Sequence, residues 1–274
     1  MSQDSPPGVG WFAAFMRVIL RLRYRVSLRW QQSTPPAKGV LFLPNHPGEI
    51  DPVILTGFLW PGFKPRPVII EDFYYMPGIN ILFRGMGAIP MPNPDGGIGA
   101  YKRRRITQAI EAVMAALDRG DNVVVYPAGR LMRGVREELR AASATHELLR
   151  RRPQTTVVLV RTRGLLGSSF SWIAHRQTPD LLTGLVAGAV TLLGNLLVLA
   201  PRRPVSLTMV TDPPEMPRSG ERMELNRWLE DWYNAGGDET PLIYPRFFFQ
   251  GYTPHPLPEV APTPEAAPAP PSAA

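Results

Sequence analysis

Leu41-Phe-Leu-Pro-Asn-His-Pro-Gly-Glu-Ile-Asp-Pro52 is the stretch from which the rest of the chain can be read. Residues 40–43 form a short apolar run bounded by Gly39 and Pro44, the pattern of a buried strand. Pro47-Gly48 then breaks the chain, and Asp51 before Pro52 is a good helix start. An aspartate there can accept from the first free backbone N–H groups, and proline suits the first helical position. His46 therefore falls at the carboxyl end of a strand and Asp51 at the mouth of the next helix. On one continuous helix, at about 100° per residue, the two would lie on separate faces, so only a loop can join them. Joined, the carboxylate holds one imidazole nitrogen while the other takes a proton from an alcohol, which is general-base chemistry. A plainer reading stays open, in which Asp51 only caps its helix and His46 is a satisfied loop histidine.

Further along, residues 53–60 continue as a short apolar helix and 67–71 as a second buried strand. Residues 77–87 and 98–119 have helix composition, with Gly120 ending the second. Asn122 to Val125 read as a strand running into Pro127-Ala-Gly-Arg130. Residues 155–160 and 205–210 read as two more strands, and 221–234 as a late helix. Strands alternating with helices predict an α/β fold, a mixed and mostly parallel sheet flanked by helices.

Four stretches stand in order: Asn45-His46-x4-Asp51, Phe83-Arg-Gly-Met-Gly-Ala-Ile-Pro90, Val123-Val-Val-Tyr-Pro-Ala-Gly-Arg130 and Thr156-Val-Val-Leu-Val-Arg-Thr-Arg-Gly164. Over residues 38 to 170 this resembles the glycerolipid acyltransferases, the lysophosphatidic acid and lysophospholipid acyltransferases. The resemblance implies His46 as catalytic base, Asp51 as its orienting carboxylate, and Gly129 and Arg130 at the substrate, aided by Arg133. The second block departs from the lysophosphatidic acid branch, which ends it with an acidic residue and an arginine; here Pro92-Asn93 follow, and Arg84 is the nearby cation. A solvated helix arginine is the alternative for Arg84, and a surface arginine after a turn for Arg130. The third block looks closest to the lysophosphatidylethanolamine-type branch, with Ala128 in place of its usual glutamate. Gly164, in the fourth, is a candidate pocket wall. The implied reaction moves a fatty acyl group from acyl-CoA or acyl carrier protein to a lysophospholipid hydroxyl, with no metal or bound cofactor.

The 274 residues are 44% hydrophobic, enough for one main domain with appendages: an N-terminal segment 1–37, a domain 38–252 and a tail 253–274. With no cysteine, disulfides, thiol nucleophiles and cysteine metal sites are excluded. His146 and His175 lack metal-ligand spacing, and there is no Gly-x-Ser-x-Gly elbow or Walker loop. A net charge of +7 and a pI near 10.0 suit an anionic partner.

Residues 11–30 place Trp11, Phe15, Ile19, Leu22 and Val26 along one side of a helix, with Arg17, Arg21 and Arg25 along another. This is the composition of an interfacial membrane helix or of a surface helix docked on the core. Residues 181–200 carry no charge and have the length of a bilayer span. Their position before a strand favours a segment that dips into one leaflet or lines an acyl-chain tunnel, ahead of a core helix or a true crossing. Lys102-Arg-Arg-Arg105 suits lipid headgroups or coenzyme A phosphates, or a solvated face. The expected partner is an anionic phospholipid membrane, at the cytoplasmic face of the inner membrane. Two other classes stay open. A non-catalytic membrane-binding protein on this scaffold would tolerate Ala128, and a nucleic-acid binder would explain the charge, although no binding motif accompanies it.

Overall fold

The computed structural model describes residues 7–31, 38–93 and 99–258. Most of the tail read at 253–274, and residues 32–37 of the N-terminal segment, lie outside these residues. The elements in order are α1 (Pro7–Arg23), β1 (Tyr24–Trp30), β2 (Val40–Pro44), α2 (Asp51–Phe63), β3 (Arg66–Ile70), α3 (Glu71–Tyr74), α4 (Ile79–Gly85), β4 (Ile89–Met91), α5 (Ala100–Asp118), β5 (Val123–Val124), α6 (Ala144–Arg151), β6 (Thr156–Arg163), α7 (Trp172–His175), α8 (Leu181–Gly194), β7 (Arg203–Thr211), α9 (Arg222–Asn234), β8 (Leu242–Ile243) and β9 (His255–Pro256).

The central strands are continuous apolar runs because both of their faces are covered. In β2, Leu41 and Leu43 enter one core layer while Val40 and Phe42 enter the other. β6 repeats the alternation with Val157 and Leu159 against Val158 and Val160. One layer is closed by α5, α6 and α9, through residues such as Val113, Leu149 and Leu229. The other is closed by Leu20 of α1, by Ile54, Leu55 and Leu59 of α2, and by Leu165 and Phe170.

The strand order is β1-β7-β6-β2-β5-β3-β4, and within this sheet only β6 and β7 pair antiparallel. The expected mixed, mostly parallel α/β sheet is therefore present. β1 and β7 run against the other strands, so they begin at the edge where β2, β5 and β6 end. That edge carries the candidate site, as is usual beyond the carboxyl ends of parallel strands.

Three local expectations are corrected. Residues 11–30 are not one helix: α1 stops at Arg23, and Tyr24–Trp30 form edge strand β1 beside β7. Tyr24, Val26, Leu28 and Trp30 alternate with Arg25, Ser27 and Arg29, and this twofold period prevails once a partner strand is there to satisfy the backbone. β6 runs three residues past the strand end expected at 160, to Arg163. Gly164 is a close crossing: at φ +100°, a Cβ there would collide with the carbonyl of Pro204, so packing against β7 accounts for the glycine.

Residues 181–200 divide into the 14-residue α8 and a run of turns. At 1.5 Å per residue α8 is far shorter than the ~30 Å hydrocarbon core, and no helix among the described residues is long and apolar enough to cross a membrane. Nor is it a core helix. Leu182, Leu185, Val186, Val190 and Leu193 line a single exposed stripe.

Candidate active site

His46 leaves β2 two residues after Pro44, and the turn brings its imidazole back onto the first residue of α2. Nδ1 lies 2.8 Å from Asp51 Oδ2. Asp51 does not cap its helix; the N-cap is Ile50, with no side-chain bond. The carboxylate, 1% exposed, is turned toward the site, where it also accepts from the Tyr126 hydroxyl and, at 3.3 Å, from the Gly48 N–H. With Nδ1 donating to the Asp51 carboxylate, the Nε2 lone pair is left free to accept a proton. Burial opposes the imidazolium, but Asp51, Glu49 and Glu137 outweigh it, and the His46 pKa lies above the ordinary histidine value.

The turn is fixed from several sides. Asn45 acts as an extra backbone unit for β6: its Oδ1 accepts from the Thr162 N–H at 2.7 Å and its Nδ2 donates to the Thr162 carbonyl at 3.0 Å. The Glu49 N–H donates to the Phe170 carbonyl at 2.9 Å, and the Met132 N–H to the His46 carbonyl at 2.8 Å. The Tyr126 ring, just past β5, lies 4.3 Å from the imidazole at a 35° tilt. Burial and the neighbouring Asp51 raise the Tyr126 pKa well above its usual value, so Tyr126 acts as a neutral donor.

Two contributors escaped the sequence reading. Tyr126 lies within a quoted motif but has no charge or unusual spacing to mark it. Glu137 has no local signal at all: 91 residues from His46, its Oε2 accepts the His46 main-chain N–H at 2.9 Å.

The predicted substrate-binding residues separate. Gly129 takes φ +64°, the left-handed turn that swings the chain from β5 past His46. Arg130 follows, partly exposed, 3.9 Å from Glu138. Its guanidinium pKa is lowered by partial burial and by the nearby Arg140 and Arg133. Arg130 and Arg133 thus share one positive loop, tied to His46 through Met132. Arg84 is elsewhere, on the exposed side of α4, and takes part in none of the bonds above. Arg105 of the basic run pairs with Glu71. His146 and His175 each bond a backbone carbonyl at 3.1 Å, and no cluster of metal-ligating side chains occurs among the described residues.

No protein in a search of curated sequences matches the chain. Among solved structures, the 1-acyl-sn-glycerophosphate (LPA) acyltransferase PlsC from Thermotoga maritima is similar, with a TM-score of 0.50 and 16% sequence identity over 84% of this chain and 77% of that one. At that identity the likeness speaks to the fold. A sequence model of the family described as Acyltransferase matches residues 25–164, half of the chain, including the His46–Asp51 turn, Tyr126 and Arg130. The chain belongs to the acyltransferase family.

Proposed function

We propose that this acyltransferase moves a fatty acyl group from a thioester of coenzyme A or acyl carrier protein to the free hydroxyl of a lysophospholipid at a membrane surface. The observation that carries the reading is the His46–Asp51 pair, with Nδ1 held at 2.8 Å by the carboxylate, which leaves Nε2 to serve as the base. Nε2 takes the acceptor's hydroxyl proton as its oxygen attacks the thioester carbonyl. The new C–O bond forms, the C–S bond breaks, and the imidazolium returns the proton to the departing thiolate. Asp51 stabilises the intervening positive charge. The thioester is already activated, so aligning the two substrates supplies much of the remaining catalysis. Arg130 and Arg133 offer the anion contact that a phosphate-bearing acceptor or donor needs.

Membrane contact is supported by exposed apolar side chains beside arginines. On α1, Trp11 is 81% and Phe15 60% exposed, next to Arg17 and Arg21. The uncharged stripe of α8 adds a second such face. Both suit a protein that lies on a lipid surface.

The test is transfer of a labelled acyl group from both donors to a panel of lysophospholipids, comparing wild type with His46→Ala. Loss of transfer by at least about a hundredfold in His46→Ala supports the assignment. Transfer that survives the substitution would remove His46 as base, and no transfer by folded wild type to any acceptor would overturn the substrate class.

A further inference from the structure

Besides Asp51 and Glu49, a third carboxylate reaches the His46 turn, from a distant loop. Glu137 is 3% exposed, and its Oε2 receives the main-chain N–H of His46. The residue is built into place. Its own N–H donates to Asn234 Oδ1 at 2.9 Å, and Asn234 Nδ2 returns a bond to its carbonyl at 3.0 Å. The next turn of chain is tied to the same face of α9. Glu230 accepts from the Leu139 and Arg140 N–H groups, and Asn226 donates to the carbonyls of Arg140 and Ala142. Positions 226, 230 and 234 are four apart, so one polar stripe on α9 holds the whole loop. α9 also holds the strand end itself, through the Tyr233 hydroxyl on the Leu43 carbonyl at 2.7 Å.

A neutral acceptor would satisfy one backbone N–H without the cost of burying a charge. The loop instead brings a carboxylate under the base, beside a turn that carries Ala128 and no acid of its own.

Building on the acyl-transfer reading, we infer that Glu137 is a positioning residue for that reaction: it fixes the His46 main chain, and its negative charge favours the protonated imidazole formed during transfer. The charged and titratable groups around it are His46 and Asp51 from the catalytic turn, Tyr233 from α9, Arg130 from the turn after β5, and the adjoining Glu138; His46 also faces Glu49 of its own turn, which both variants leave in place. Burial, opposed by the His46 N–H and His46 itself, raises the Glu137 carboxyl to about 7, so its charge is present in full only on the alkaline side of neutrality. Tyr233, pushed up well above its usual pKa by burial and by Glu137, stays neutral throughout.

The experiment compares wild type, Glu137→Gln and Asn234→Ala in two readouts. One is the pH titration of the His46 imidazole by NMR, assigned with His46→Ala, which requires no substrate. The other is the pH profile of kcat and of KM for the acceptor. Glu137→Gln keeps an acceptor oxygen but loses the charge. It should move the His46 midpoint and the acidic limb of kcat/KM to lower pH, and reduce kcat by about tenfold with KM changed less than about twofold. Asn234→Ala leaves the carboxylate but loosens its loop, and should lower kcat in the same direction with a smaller shift of the midpoint.

An unchanged His46 midpoint with unchanged kcat in Glu137→Gln would overturn the inference. So would a loss confined to KM, or equal losses in both variants with no movement of the titration, since a purely structural role gives that pattern. If the midpoint shifts as expected but wild type transfers no acyl group, the electrostatic link stands, while the acyl-transfer reading and the role in it fall.

Discussion

Asp51 is the residue on which the site's chemistry converges, because one buried carboxylate serves His46, Tyr126 and the Gly48 N–H together. Removing the Tyr126 hydroxyl leaves the aromatic ring against the imidazole but takes away one of the donors that hold the Asp51 carboxylate in orientation. Tyr126→Phe should therefore fold normally and lose about ten- to a hundredfold in kcat, the equivalent of one charge-assisted hydrogen bond, with KM little affected. Steady-state kinetics decide this, and wild-type kcat would show that Asp51 needs no help. Glu137 makes a different prediction, for stability. Its carboxyl titrates near 4.5 unfolded and near 7 folded, because burial disfavours its charge. Between those values the folded protein holds the extra proton, so this group's contribution falls as pH rises. It is undiminished below 4.5 and fully lost above 7, a ceiling of about 3 kcal/mol. His46 acts in the same direction, since its raised pKa makes its contribution fullest below 6.5 and lost as pH rises through the folded value. Glu137→Gln should accordingly melt higher than wild type at pH 8 and no higher at pH 4. Equal melting temperatures at both pH values would mean that no buried charge is being relieved.

At the level of elements, α2 and α9 meet the same His46 turn; both read as helices in the sequence, but only for α2 does the sequence also show that meeting. The 40–52 stretch was legible because everything it needs is local: an apolar run, a Pro-Gly break, a helix start, and a histidine and an aspartate whose union requires only one loop. Tyr126 and Glu137 were not, since their partners come from other strands and from α9, across separations of 75 and 91 residues. The α9 stripe at Asn226, Glu230 and Asn234 reads in sequence as an ordinary solvated face; only the loop lying across it turns those side chains inward. Edge elements were misread for the opposite reason. Residues 24–30 fit a helical wheel and an alternating strand equally well, and the vacant edge of β7 decided between them. Gly164 shows the same limit, because nothing near it in sequence reports that β7 begins against it.

Across the whole molecule, the reversed direction of β1 and β7 places two apolar surfaces beside the catalytic edge. α1 leads into β1 and α8 precedes β7, and both strands begin where β2 and β6 end. Leu20 of α1 and Leu181 of α8 pack on the same core layer, and the Arg23 guanidinium bonds the Pro201 carbonyl, so the two helices converge on one side of the sheet. Phe170 connects this side to the chemistry: its ring packs on Gly184 of α8, and its carbonyl receives the Glu49 N–H of the catalytic turn. A lipid layer against α8 would thus lie close behind the turn that carries His46, with exposed Arg202 and Arg246 nearby. Apolar insertion and headgroup attraction respond differently to salt, which separates them. Wild type should bind vesicles of mixed phosphatidylcholine and phosphatidylglycerol, weaken as salt rises, and keep residual binding at 1 M salt, roughly where charge attraction is screened beyond ~3 Å. Val186→Glu/Leu193→Glu, at positions 57% and 68% exposed, should leave the circular dichroism spectrum intact and weaken binding by at least about a hundredfold, since each side chain forgoes ~1.5–3 kcal/mol of burial and adds a charge. Binding that vanishes with salt in wild type would assign the contact to electrostatics alone, and binding that persists undiminished in the double variant would take α8 out of it and leave the apolar contact to α1.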